Sequence, residues 1–209
     1  MIKVELTDVW GFEHAVRGMR NPMNSWDRGD SHYSMDRSRF IIGKDDLKLM
    51  QKLYKAGTEH RKFMRQIFIS MDITAPLYWW KEFDTYKIGT TANSCSTMHK
   101  IHSKEFSPDD FSFENLVNTH NGRKTAKDIL NALNHFREMY LQSKSKKYWW
   151  QMIQALPTSY NQKRTVTMNY ENAVTIIRQR YGHKLDEWKE LITELSNLPY
   201  MQEITGGGV

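Results

Sequence analysis

Cysteine is nearly absent: Cys95 stands alone among 209 residues. An internal disulfide is therefore excluded, and the usage fits a reducing compartment. Long apolar runs are missing too. No stretch approaches the ~18 residues that a membrane-spanning helix needs. The opening MIKVELTDVWGFEH lacks the uninterrupted apolar core of a secretory signal. The expectation is a soluble, cytoplasmic protein with no membrane partner. Internal repeats are also lacking, and the Lys and Arg residues form neither a long basic arm nor an Arg/aromatic stripe.

What is present suits a globular chain. Hydrophobic residues make up 39% and charged residues 26%, and the seven Trp, ten Tyr and nine Phe argue against disorder. This length is enough to bury a core in one domain, expected over residues 1–205, with a frayed Gly-rich tail at 206–209. A net charge of +6 suggests an anionic partner, either a phosphorylated small molecule or nucleic acid, set against the plain reading of a solvated surface.

Periodicity divides the chain into a mixed architecture. Lys3 to Leu6 alternates as a strand, and Pro22 to Tyr33 is a polar loop. Leu47, Met50, Leu53 and Tyr54 share a helical face that Gly57 ends. Ile67, Ile69, Met71 and Ile73 alternate with mainly polar residues and mark the clearest strand. Pro76 suits a first helical turn, so Leu77 to Tyr86 is expected to be helical and Gly89 to Ser94 a loop. Thr125 with Asp128 reads as a capping box opening the helix of Ile129, Leu130, Leu133, Phe136 and Tyr140. Three more helices are expected, over Tyr148 to Leu156, from an Asn169 cap to Gly182, and along the Leu185–Leu195 stripe. The class is α+β, with an antiparallel sheet packed against several helices.

Two polar stretches carry the candidate chemistry, Pro76 to His99 and Leu156 to Arg180. The first resembles the signature region of the flavin-dependent thymidylate synthases: a strand, Ala-Pro, a helix, Arg-His-Arg, then Ser-x-Asn-x-x-Ser and Arg-Tyr. Here Ile73-Thr74-Ala75-Pro76 matches the approach and Thr91-x-Asn93-x-x-Ser96 the spacing, with one extra residue between Pro76 and Asn93. In the second, Leu156-Pro157, Thr167-x-Asn169 and Arg180 fall in the family's register, and upstream His60 stands where the family places a His. The resemblance covers about Asp45 to Trp188. It implies the fold of the thymidylate synthase-complementing proteins and a homotetramer with active sites between subunits. It also implies transfer of a one-carbon unit to dUMP or a related pyrimidine nucleotide. FAD would be the cofactor, with NADPH and methylenetetrahydrofolate, a folate, as co-substrates.

Carried over residue by residue, the resemblance makes Arg180 the group that polarises the pyrimidine. His60, Lys87, Thr91, Asn93 and Asn169 become flavin contacts, and Glu82, Ser96, His99 and Arg180 substrate contacts. The departures are equally specific. In place of Arg-His-Arg the chain has Tyr86-Lys87-Ile88 or, in the other register, Thr85-Tyr86-Lys87, which leaves one ammonium for two guanidinium groups. Met98-His99 replaces the closing Arg-Tyr, so that phosphate contact is lost or moves to His99 or Lys100. A variant reaction such as hydroxymethylation, a non-catalytic nucleotide-binding module and a nucleic-acid-binding protein are the rival readings.

Each residue also has a plain structural reading. Arg180 can complement the negative end of its helix. Thr91 and Ser96 can be turn residues, Asn169 a cap, and the Trp79-Trp80 and Trp149-Trp150 pairs core or interface. Cys95, His99, His102 and Glu105 lack the second cysteine of a structural zinc site, and no base is positioned for a Cys95 nucleophile, so no metal is expected.

Overall fold

The computed structural model describes residues 2–207; of the expected tail, 208 and 209 lie outside the described residues. In chain order the elements are β1 (Lys3–Trp10), α1 (Phe12–Arg20), β2 (His32–Tyr33), β3 (Phe40–Ile41) and α2 (Lys44–Lys55). Next come β4 (Phe68–Pro76), α3 (Leu77–Phe83), β5 (Thr90–Ser94), α4 (Thr97–Lys100), α5 (His120–Ser143) and α6 (Lys146–Ala155). The last are β6 (Asn161–Asn169), α7 (Tyr170–Arg180), α8 (Glu187–Ser196) and α9 (Met201–Thr205). The main sheet is antiparallel in the order β1-β4-β6-β5, and β2 pairs with β3 as a small hairpin with Tyr33 opposite Phe40. The expected α+β class is the one observed. No helix among the described residues is long and apolar enough to cross a membrane.

β4 forms where period-2 alternation demands it. Ile69, Met71, Ile73 and Ala75 are buried, while the residues between them are half-buried. Pro76, without an N–H, closes this strand and supplies the extended residue before α3. α3 stops at Phe83, three residues short of the expected Tyr86, because Asp84 and Thr85 bond back to the last carbonyls of the helix.

Two compact units divide the chain. The first contains Ile73–Thr85 and Asn93–Thr165, the second Val4–Asp72, Tyr86–Ala92 and the residues from Val166 onward. Unit 1 has a core of Ile101, Phe106, Phe111, Phe113, Leu133 and Met152, covered by Ile129, Leu130 and Phe136 of α5. Trp79, Trp80 and Phe83 form a buried aromatic group in the same unit, as expected for that Trp pair.

Unit 2 buries Met50, Met64, Ile67, Val174, Ile177, Trp188 and Leu191. Its α1–α2 region is locked by a buried ion pair, with Arg20 Nε 2.6 Å from Asp46 Oδ1. The other Asp46 oxygen accepts the Asp30 and Ser31 N–H groups and the Ser31 hydroxyl. Asp30 in turn accepts the N–H groups of Asp45 and Asp46 at the start of α2. Burial works to raise the Asp30 pKa, but those donors outweigh it and hold the carboxyl below its ordinary value.

Three expectations are corrected. Residues 90–94 form β5, an exposed edge strand whose backbone pairing needs no apolar side chains. β6 lies inside the sheet although no strand was expected there. Its alternation is disguised because Trp80 Nε1 donates to the Gln162 carbonyl and the Arg164 guanidinium lies 4.2 Å from the Trp80 ring centroid. α5 starts one and a half turns before Thr125: the true cap is Thr119, whose hydroxyl accepts the Gly122 N–H, while Thr125 bonds the Asn121 carbonyl inside the helix. Gly122 is required there, since a Cβ would sit 1.7 Å from the Leu116 carbonyl oxygen.

Candidate functional site

Unit 1 holds a cleft of about 400 Å³ between the segment 95–110 and the start of β6. β5 delivers Cys95 and Ser96 to its wall, and the Cys95 N–H donates to the Lys163 carbonyl at 2.9 Å. Gln162 Nε2 donates to the Cys95 carbonyl at 2.8 Å, so that peptide is held from both sides. Ser96 caps α4 by accepting the His99 N–H at 3.1 Å. Lys100, Lys104 and Lys163 line the cleft with the hydroxyls of Ser96, Thr97 and Ser103, and Tyr160 and Phe106 supply aromatic surface. Asp110 is the one carboxylate in the wall; it pairs with Lys104 and accepts from Ser107. Burial pushes the Tyr160 phenol above its ordinary value, so it remains a neutral hydroxyl at neutral pH. The chemistry on offer is cationic and hydroxylic, fit to receive an anionic, partly aromatic molecule.

Four residues singled out from sequence lie in unit 1. Ser96 lines the cleft; His99, one residue before the cleft-lining Lys100, is exposed and outside it. Asn93 is exposed on β5, and Glu82 is half-buried on α3. Of the two replacements considered for the missing Arg-Tyr, Lys100 is therefore the one at the cleft.

The other five lie in unit 2. Arg180 ends α7 with its guanidinium held between two rings, 5.4 Å from the Tyr86 centroid and 4.5 Å from that of the buried Trp188. Its Nε donates to the Tyr86 hydroxyl at 2.9 Å, and that hydroxyl donates to Gln179 at 3.0 Å. Asn169 caps α7 by accepting the Asn172 N–H at 2.9 Å. The Asn172 side chain donates to the Ile88 carbonyl and the Thr90 hydroxyl at 2.8 and 3.0 Å, so the loop carrying Lys87 is stitched to the start of α7. Gly89 is needed in that loop: its φ is +70°, and a Cβ would meet Asn169 Nδ2 at 2.8 Å. Lys87 and Thr91 flank the stitch, both exposed. His60 is exposed in the turn after α2, where its backbone N–H donates to the Gly57 carbonyl at 3.0 Å.

The remaining arginines near α7 are also fixed. Arg61 and Arg65 pair with Glu171, and Arg178 donates to the Tyr54 hydroxyl at 2.6 Å. Burial acts to raise the Glu171 pKa, yet the two arginines more than reverse it and hold the carboxyl low. Among the described residues no group of three or more His, Cys, Asp or Glu side chains is placed to hold a metal ion.

Sequence reasoning missed Lys104 and Tyr160 in the cleft, and Tyr86 and Trp188 as the partners of Arg180. A usable signal did exist: residues 85–104 contain no carboxylate, and Lys100 and Lys104 both lie there.

No protein-family model and no curated protein matches the sequence. Solved structures do match along nearly the whole chain. One is flavin-dependent thymidylate synthase ThyX from Helicobacter pylori complexed with FAD and dUMP, with a TM-score of 0.68, 17% identity and 97% of each chain covered. A second structure of that Helicobacter pylori enzyme with FAD and dUMP gives a TM-score of 0.68 at 16% identity, covering 98% of this chain and 97% of the other. At this identity the likeness concerns the fold, and it establishes that the chain is folded as the flavin-dependent thymidylate synthases are.

Proposed function

We propose that the chain binds a phosphorylated pyrimidine nucleotide, dUMP or a close relative, and transfers a one-carbon unit to it with reduced FAD as hydride donor. The observation that supports this most directly is the cleft of unit 1, walled by the Ser96 end of the Thr91–Ser96 segment that carries the resemblance. In this reading the Ser96 hydroxyl and the Lys100 ammonium take the nucleotide phosphate, and Lys163 adds positive charge beside them.

The flavin assignment depends on the donor set available. His60, Lys87, Thr91, Asn93 and Asn169 include no carboxylate, and the first four are exposed. A set of neutral and cationic donors fits an anionic dinucleotide, with Lys87 for a phosphate and the amide and hydroxyl groups for polar ring edges. When bound, reduced FAD would supply the hydride, with methylenetetrahydrofolate as carbon source and NADPH restoring the reduced state.

The protein's own contribution is positioning and electrostatics. Arg180 offers a guanidinium that can polarise a pyrimidine carbonyl, and Tyr86 and Trp188 hold it in one orientation. A homotetramer and a cytoplasmic setting complete the reading.

One observation favours a second reading, a nucleotide-binding protein without turnover. Arg180 already spends its Nε on Tyr86 and lies against Trp188. Calorimetric titration with dUMP, followed by anaerobic assay with FAD, NADPH and methylenetetrahydrofolate, separates the two. Binding with product formation supports the enzyme. Binding without any product supports the second reading, and failure to bind dUMP at millimolar concentration would refute both.

A further inference from the structure

Between Glu138 and Glu171 the chain has no Asp or Glu, yet it carries Lys144, Lys146, Lys147, Lys163 and Arg164. A free nucleotide needs only the cleft, and most of these cations lie elsewhere. Lys144, Lys146 and Lys147 are exposed at the turn from α5 to α6, outside the cleft.

Aromatic surface accompanies this charge. On α6, Trp150 follows Lys146 by four residues and Lys147 by three, so its indole shares a helix face with both ammonium groups. Trp150 is 44% exposed, far more than a structural tryptophan needs to be. Trp149 packs edge-on against it, with ring centroids 5.0 Å apart. The same Trp149 ties α6 to α4 by donating Nε1 to the Met98 carbonyl at 3.2 Å. α4 adds the exposed Met98, His99 and Lys100, and Lys100 also reaches the cleft. Charge and aromatic surface therefore continue from the cleft across α4 to the first two turns of α6, all within unit 1.

We infer that α4 and the first two turns of α6 form a binding surface for single-stranded nucleic acid. Lysines neutralise backbone phosphates, and Trp150 gives an unpaired base a face to stack on. Duplex DNA offers the phosphates without accessible base faces, and an anionic membrane offers charge without bases. The exposed indole beside two lysines therefore favours the single strand. The inference goes beyond the flavin reading and stands whether or not the chain binds FAD.

The test is fluorescence anisotropy of a fluorescein-labelled oligothymidylate, roughly twenty nucleotides long, titrated with the full chain over a series of salt concentrations. Affinity should fall steeply with salt. The Lys144→Ala/Lys146→Ala/Lys147→Ala variant should flatten the slope of log K against log salt by about two, since each phosphate contact on a single strand contributes roughly 0.7. Trp150→Ala should weaken binding about tenfold or more, and Trp150→Phe should recover most of the loss. Circular dichroism would confirm that these surface variants fold. The inference is overturned if the oligonucleotide fails to bind at low salt, if duplex DNA or vesicles of anionic phospholipid bind as well or better, or if the variants bind like the parent. It is equally overturned if Trp150→Ala alters only self-association in sedimentation and leaves oligonucleotide binding unchanged.

Discussion

Asp46→Asn should be among the most damaging single substitutions in unit 2, and the structure says why. Asp46 is fully buried, and its two oxygens face donors on both sides. Arg20 approaches one at 2.6 Å; the Ser31 hydroxyl and the Ser31 and Asp30 N–H groups approach the other at 2.6, 2.9 and 3.1 Å. An amide has one acceptor oxygen, so whichever way it turns, its NH₂ points at donors and leaves them unsatisfied. Arg20 is itself 5% exposed and would lose its counter-charge. Breaking a buried pair in this way costs about 3–5 kcal/mol. At roughly 2–4 °C per kcal/mol for a chain of this size, the melting temperature should drop by about 6–20 °C. Arg20→Met should cost less, about 1–3 kcal/mol, because Asp46 keeps its three other donors. Urea denaturation followed by circular dichroism gives the ordering. Amide hydrogen exchange at Asp30 and Ser31 gives the local effect, which should be fast exchange in Asp46→Asn. A loss within about 1 kcal/mol of the parent, or a larger loss for Arg20→Met than for Asp46→Asn, would refute the reasoning.

Four further outcomes follow from the site. Glu171→Gln should flatten the acid limb of the stability curve: the native carboxyl is held below its ordinary value of 4.5, so its contribution is present above that pH and is lost as pH falls through the depressed value. Urea midpoints between about pH 3 and pH 7 would show this as a shallower decline than in the parent. Gly89→Ala should destabilise the 88–90 loop by about 1–3 kcal/mol through its positive φ and the clash with Asn169, read as faster amide exchange in that loop. Lys100→Ala should weaken dUMP binding by about tenfold in calorimetry, with the unfolding midpoint unchanged because its side chain is exposed. If the chain turns over, Arg180→Lys should lower kcat by about 100-fold or more, since an ammonium replaces a planar guanidinium stacked on Trp188.

Where side chains obey one period, the sequence announced the element. β4 alternates because every second residue is buried, and the α8 stripe of Trp188, Leu191 and Leu195 is buried as expected. β6 was illegible because Val166 and Met168 are its only apolar positions, while Arg164 and Gln162 are accommodated by Trp80, Asp84 and Cys95. No local pattern encodes such a tertiary partner. β5 resembles a loop in sequence for a related reason: an exposed edge strand is held by its backbone, and its polar side chains look like those of a turn. The first turns of α5 were hidden by His120-Asn121-Gly122, poor helix formers kept there by the close approach of Leu116.

Spacing singled out Ser96, Asn169 and Arg180 but carried no information about what surrounds each of them. Tyr86 stands where the resemblance led one to look for a guanidinium or an imidazole, and it became the acceptor for Arg180 instead. The cleft lysines belong to segments some sixty residues apart in sequence, so only the folded chain brings Lys100 and Lys163 to one wall.

The most direct test of the central claim is the visible absorption spectrum of the purified chain after incubation with FAD and gel filtration to remove free cofactor. The account predicts a retained flavin band that weakens when Lys87→Ala is substituted and that changes shape when dUMP is added. A colourless protein that leaves all the FAD in the small-molecule fraction would contradict it.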